Sequence, residues 1–255
     1  MYKNYLKIAL RNLSRHKAFS IINIIGLAFG IAISLIIFLW IQDELSYDDF
    51  HADNDRIYRL SIAGFFGNEP FNTINTAAPT AKVLYKEFTE IEQSTRVLKG
   101  WNKQVSYGGR MFSENLFHYA DSNFFEFFSF RLIKGETNEV LQKPNSVVIT
   151  ESTARRFFDN DDPIGKLLTS DEGRDYVVTG LCEDVPLNSH FKFDFIASLT
   201  TFDWSANDGW LRLSFATYLK LLPDVNLPAF HKQLNATAIQ YIGPQLEEYL
   251  GIAME

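Results

Sequence analysis

The stretch AFSIINIIGLAFGIAISLIIFLWIQ, residues 18–42, contains no charged side chain, and its centre from Ile21 to Ile41 is almost wholly apolar. As a helix rising about 1.5 Å per residue, that centre spans roughly 31 Å, the thickness of a bilayer's hydrocarbon layer. Asn23 and Ser34 are the only polar interruptions, and membrane helices tolerate both through backbone or interhelical hydrogen bonds. The pattern predicts a transmembrane helix over 18–42. A cleaved signal peptide would show a shorter apolar run, about 7–15 residues, and a small-x-small cleavage site. Here the run ends in Trp40-Ile41-Gln42-Asp43, so an uncleaved anchor is expected.

The flanks orient the span. The chain has 255 residues and a net charge of −7, yet Lys3, Lys7, Arg11, Arg15 and Lys17 put +5 into the first seventeen residues. That leaves 19 basic against 31 acidic residues, or −12, for the remainder. Asp43, Glu44, Asp48 and Asp49 follow the span directly. The positive-inside rule then places residues 1–17 in the cytoplasm and residues 43–255 outside the cytoplasmic membrane. Trp40 is expected at the outer interface. Lys3, Lys7, Arg11 and Arg15 recur every four residues and form a basic stripe on a helix, opposite Tyr5, Leu6, Ala9, Leu10 and Leu13. Such a helix suits an anionic membrane surface; it equally suits a charged flank that only fixes topology.

Within the span, Gly26 and Gly30 form a GxxxG that Ser34 extends by one further step of four. Small residues on one face let a partner helix approach closely, although glycine is also common in membrane helices by chance.

Beyond residue 43 the periodicity changes often. Strands are expected at 56–62, 93–99, 103–107, 110–119, 147–150, 176–181, 191–196 and 215–222. Helices are expected at 80–88, 151–158 and 227–250, the last bent or broken at Gly243-Pro244. A helical turn capped by Ser122 should put Phe124, Phe127 and Phe128 on one face, most simply as core. Strands and helices interleave without a regular βα repeat, which predicts an α+β domain of mixed short strands and helices.

Signals of chemistry are sparse. Gly165-Lys166 resembles the end of a phosphate loop, but Asn160 and Leu167 stand where glycine and Ser or Thr are needed. A turn leading into a strand explains it better. His16, His51, His118, His190 and His231 lack metal-ligand spacing. The single cysteine, Cys182, follows an apolar run in an acidic neighbourhood that disfavours a thiolate. No catalytic, cofactor or metal residue is expected, and the acidic balance argues against a nucleic-acid partner.

Several blocks together resemble the permease subunits of MacB/FtsX-type ABC transporters. They are Ala9-Leu10-Arg11-Asn12 with Phe19-Ser20-Ile21-Ile22-Asn23 and Gly26-Leu27; Asp43-Glu44-Leu45-Ser46-Tyr47-Asp48 with Phe50-His51 and Asp55-Arg56-Ile57-Tyr58-Arg59; Phe124-Phe125 with Phe128-Ser129-Phe130 and Gly135; Val148-Ile149-Thr150-Glu151 through Pro163-Ile164-Gly165-Lys166; and Val178-Thr179-Gly180 with Asp184-Val185-Pro186 and Asn188-Ser189-His190-Phe191. A glycine often seen after the position of Phe157-Phe158 is Asp159 here.

The resemblance implies a MacB-like extracytoplasmic core domain behind a first membrane helix. Because the sequence stops at Glu255, before three further membrane helices of the family, it implies an N-terminal part or a truncated member. It implies no cofactor in this chain, with ATP bound by a partner ABC ATPase subunit. It also implies a second permease copy, the lipid bilayer and a periplasmic adaptor as partners, and Glu44, Tyr47 and Asp48 as a stiff joint between helix and domain. Two rival expectations are a single-pass anchor displaying a binding or regulatory domain for a cell-envelope partner, and a membrane-tethered enzyme.

Overall fold

The computed structural model describes residues 2–66, 69–100, 102–206 and 209–251. It divides into two compact units, residues 1–49 and 50–255.

The first unit is two helices, α1 (Tyr2–Arg15) and α2 (Lys17–Leu45). They part at His16, whose φ of −118° and ψ of 53° are not helical. At about 1.5 Å per residue, the 29 residues of α2 extend roughly 43 Å. None of them is buried, and α2 is the one helix among the described residues long and apolar enough to cross a membrane. It ends where Ser46 turns its N–H back to Gln42 and Asp43 and its Oγ onto the Asp43 carbonyl at 2.8 Å.

The second unit is built on one mixed sheet of twelve strands among the described residues. Its main path runs 57–59, 213–221, 91–99, 117–120, 195–198, 146–150, 175–182, 167–170, 103–107, 110–114. Strand 117–120 pairs parallel with 195–198, and 146–150 parallel with 175–182; the other pairings are antiparallel. Residues 62–66 and 69–73 form a separate two-stranded ribbon.

Alternation along the central strands sends side chains into two cores. Phe117, Tyr119, Val147, Ile149, Phe195 and Ala197 enter one, where α5 (Glu151–Phe158) adds Ala154, Phe157 and Phe158; α3 and α4 are Thr80–Glu87 and Phe124–Phe127. Ala120, Val148 and Ile196 face the other, which is an aromatic layer of Phe124, Phe125, Phe127, Phe128, Phe130, Phe191 and Phe193. Each buried phenylalanine contributes roughly 1.5–3 kcal/mol by leaving water. The run at 124–130 is therefore core, as its spacing suggested. A third cluster joins Leu84 of α3 and Phe230 of α6 (Leu227–Leu250) to Leu219 and Leu221.

Several boundaries differ from the sequence-based expectation. The single strand expected at 110–119 is two, Arg110–Glu114 and Phe117–Ala120, on different parts of the sheet. The strand expected at 176–181 runs Asp175–Cys182, alternating in burial over its first half, with Val177 exposed, and buried from Gly180 onward. Phe191 and Phe193 belong to an extended loop whose rings serve the aromatic layer, and the strand starts at Phe195. The turn at 124–127 is preceded by Asn123, which makes no cap and donates Nδ2 to the Ser94 carbonyl. Helix α6 runs through Gly243-Pro244 to Leu250, although proline removes one backbone donor there.

Candidate functional site

On α2, Gly26, Gly30 and Ser34 line one shallow groove with Leu27, Ile31, Leu35 and Phe38. A Cβ built on Gly26 or Gly30 meets nothing within 4 Å, so the groove is open at both glycines. Ser34 donates Oγ to the Gly30 carbonyl at 2.8 Å. Its hydroxyl is thus satisfied along its own helix, and Ser34 contributes small size to the face.

On α1, Lys7, Arg11 and Arg15 are exposed at successive steps of four; the side chain of Lys3 lies outside what is described. Tyr5, Ile8 and Leu13 are also exposed, so α1 shows both basic and apolar side chains to its surroundings. Past α2, Glu44 lies in its last turn, Tyr47 is partly exposed, and Asp48 adopts φ 59°, a left-handed conformation that aspartate tolerates better than most residues. The Tyr47 N–H reaches the Glu44 carbonyl at 3.3 Å, which makes residues 44–47 one continuous turn.

In the outer unit the charged groups engage one another. Arg56 donates to Asp53, Glu92 and the Leu221 carbonyl, while Lys220, 5% exposed, donates to the second oxygen of Asp53 at 3.1 Å. Hydrogen bonds from Arg56 and then Lys220 hold the Asp53 carboxyl below its usual range. Arg156 spans Glu114 at 2.9 Å and Asp194 at 3.3 Å. Tyr119 and Tyr176 share a buried 2.8 Å hydrogen bond, and burial raises both phenols. None of these groups was singled out in the sequence as a site, except that Arg56 stood inside a recognisable block. Asp53 and Arg56 are three positions apart, but the other partners lie 36 to 167 positions away, and no short-range pattern reports such pairs.

The remaining chemistry-bearing side chains are structural. His118 accepts from the Gly100 N–H at Nδ1 and lies 3.0 Å from the Lys192 carbonyl through Nε2. That arrangement fits the neutral ring, and burial lowers its pKa in the same direction. Cys182 is fully buried, its thiol pushed up by burial and then by the Asp184 charge. Gly165 has φ +80° in a turn whose N–H meets the Val178 carbonyl, and strand 167–170 follows. This is the strand-entry turn expected. Among the described residues no group of three or more His, Cys, Asp or Glu side chains is placed to hold a metal ion.

Comparisons with known proteins agree with this architecture. The family model of the MacB-like periplasmic core domain matches residues 20–237. A crystal structure of a domain of a permease protein from Porphyromonas gingivalis is similar, with 22% identity and a TM-score of 0.67, covering 75% of this chain and 83% of that one. The periplasmic region of MacB from Actinobacillus actinomycetemcomitans is similar at 18% identity and a TM-score of 0.51, covering 77% of this chain and 84% of that one. At these identities the likeness is one of fold. No curated protein sequence matches the chain.

Proposed function

The chain belongs to the family of the MacB-like periplasmic core domain, and from that premise we propose that it is a permease subunit of an ABC-type complex that couples a partner's ATP hydrolysis to movement of the outer domain. Members of this family are permease components of ABC-type transporters, here membrane-anchored through an N-terminal apolar helix. The observation that carries the finer reading is the pairing of stiff parts. An apolar helix with an open small-residue face leads, through a turned segment, to a domain whose buried charges are tied to partners within it. Such a domain transmits displacement as a body, which suits a two-state element biased by a remote ligand.

In this reading residues 1–17 face the cytoplasm, α2 crosses the cytoplasmic (inner) membrane, and the outer domain is periplasmic. ATP binds an ABC ATPase subunit and no cofactor binds this chain. Gly26, Gly30 and Ser34 pack α2 against a neighbouring membrane helix, within the subunit or in a second copy. Glu44, Tyr47 and Asp48 stiffen the joint, the basic stripe meets the inner leaflet, and a periplasmic adaptor extends the path.

The test is purification of the tagged full chain from its own membrane, followed by ATP turnover and spin-label distances in the outer domain. Turnover that copurifies, with distances that change on ATP addition, is expected. Recovery without turnover, and distances indifferent to ATP, would leave a single-pass anchor displaying a binding domain.

A further inference from the structure

Strand Arg110–Glu114 ends the main sheet, and strand 103–107 is its one neighbour among the described residues. Gly108 and Gly109, at φ 57° and 78°, join the two in a two-residue turn. The pair that flanks such a turn, Tyr107 and Arg110, exchanges hydrogen bonds, and bonded and unbonded pairs alternate from there. Val105 with Phe112 and Lys103 with Glu114 are therefore bonded pairs, whereas Met111 and Ser113 turn their N–H and C=O groups outward. The Gln104 carbonyl agrees with this phase: opposite Ser113, it accepts from the Asp171 N–H at 2.9 Å on the far side of its own strand. Met111 and Ser113 are also exposed in their side chains. The strand carries no proline, and its register with 103–107 runs without a bulge. Those are devices that otherwise close an edge to a further strand.

The order of residues along the edge selects its occupant. Outward groups bond only to outward groups, so two copies that pair antiparallel must set their twofold axis on a residue. With the axis at Phe112, Met111 of each copy meets Ser113 of the other, and every outward group of the two residues is used. The same register sets Arg110 opposite Glu114 on both sides of the axis, in unbonded positions where side chains come closest. A slip of two residues either way loses both charge pairs. Arg110 spends one nitrogen on the Phe157 carbonyl, and its half-exposed side chain has only a long ion pair, 3.9 Å, to Asp159. Its other donors remain for a facing carboxylate. A ladder this short is smaller than a free-standing interface needs, so it suits copies that their membrane helices already hold at high effective concentration. We propose that strand 110–114 is the docking edge for a second copy of this chain, joining two outer domains in one continuous sheet across a twofold axis at Phe112.

The proposal rests on the reading of α2 as a membrane helix, and no readout of its test involves ATP. Full chains carrying Met111→Cys or Ser113→Cys, each with its own tag, are expressed singly and together, and their membranes are mildly oxidised. Cys182 is fully buried and stays out of the reaction. Residues 111 and 113 of facing copies would lie about 5.5 Å apart between Cα atoms, a span that a disulfide bridges. The mixed-tag disulfide is expected at roughly tenfold the yield of either variant alone, whose cysteines fall two residues out of register and beyond about 7 Å. Arg110→Glu in both copies sets like charges across the pair and should cut the mixed yield several-fold, whereas Arg110→Lys should retain it. Equal yields from mixed and single variants, or a mixed yield indifferent to Arg110→Glu, overturn the proposal. So does the absence of the mixed disulfide in variants that melt as wild type does. A disulfide from Ser113→Cys to a different protein overturns it as well, since the edge would then belong to another strand. Release of the chain from membranes by alkaline carbonate refutes the anchor itself, and the proposal with it.

Discussion

Arg96 grips both carboxylate oxygens of Asp121, Nε at 2.9 Å from one and the terminal nitrogen at 2.8 Å from the other. The same guanidinium donates to the carbonyls of Ala78, at 2.7 Å, and Ser205, at 2.6 Å. The Arg96 backbone N–H adds a third bond to Asp121. One side chain thus fastens three segments to strand 91–99. Lysine has neither the fork nor the number of donors. Arg96→Lys should cost about 2 kcal/mol, the range for hydrogen bonds to a charged group, and a urea melt of the full chain in detergent would read it. A loss under about 0.5 kcal/mol, the size of an ordinary surface change, would show that the clamp is ornamental.

Gly100 lies against the sheet. A Cβ there would sit 1.9 Å from the Phe117 carbonyl oxygen, a backbone atom. Its neighbour His118 pairs with Lys99 across strands 91–99 and 117–120, so neither side can yield cheaply. Gly100→Ala is expected to be among the most destabilising single-methyl additions in the chain, above the usual 1–3 kcal/mol for overpacking. Gly64→Ala, where nothing lies within 4 Å, is the matched comparison. Similar melts for the two variants would refute this.

The Glu114 carboxyl, 3% exposed, is pushed up by burial; Arg156 opposes the shift and the Asp194 charge reinforces it. An acid whose folded pKa exceeds its unfolded value weakens the fold when ionised. That penalty is present at neutral pH and is relieved as pH falls toward the unfolded value of about 4.5. Wild type should therefore gain stability relative to Glu114→Gln between pH 7 and about 4.5, since the other groups titrate alike in both chains. Chemical melts across that window would show the difference growing toward acid; a flat or inverted difference would place Glu114 in water.

What was legible in the sequence was what repeats locally. A run of apolar residues as long as a bilayer is thick announced α2. Changes of periodicity announced most strands and α5, and the spacing of Phe124, Phe127 and Phe128 announced a core. The strand order did not show, because Ile57 pairs with Lys220 and Val105 with Ser170, and such partners carry no periodic mark. The clamps at Arg96, Arg56 and Arg156 were hidden for the same reason.

Gly26 and Gly30 leave the face of α2 open, whereas Ser34 spends its hydroxyl on the Gly30 carbonyl. Close approach of a partner helix depends on missing side-chain volume. Gly26→Leu with Gly30→Leu should abolish cysteine crosslinking of α2 to its neighbouring helix. Ser34→Ala removes a hydroxyl already used within the helix and should leave crosslinking intact. Loss in the Ser34 variant would instead point to an interhelical hydrogen bond, and persistence in the leucine variant would remove the glycine face from the packing.

Asp159 closes α5 at φ 55° and ψ −110°, a combination that suits glycine and crowds a side chain. Its side chain is 80% exposed, and its nearest cation, on Arg110, is 3.9 Å away. An exposed pair at that length returns little, so the strain stands without an evident compensating contact. The family resemblance in the sequence leads to the expectation of glycine at this point, and the backbone conformation fits it. Asp159→Gly relieves the conformational cost but gives the unfolded chain more freedom, so the net gain should be modest, about 1 kcal/mol. In an outer domain of this size that corresponds to roughly 2–4 °C in the melting temperature. Asp159→Ala keeps the Cβ and should gain nothing. If the alanine variant rises as far as the glycine variant, the effect lies in the lost carboxylate and not in the backbone.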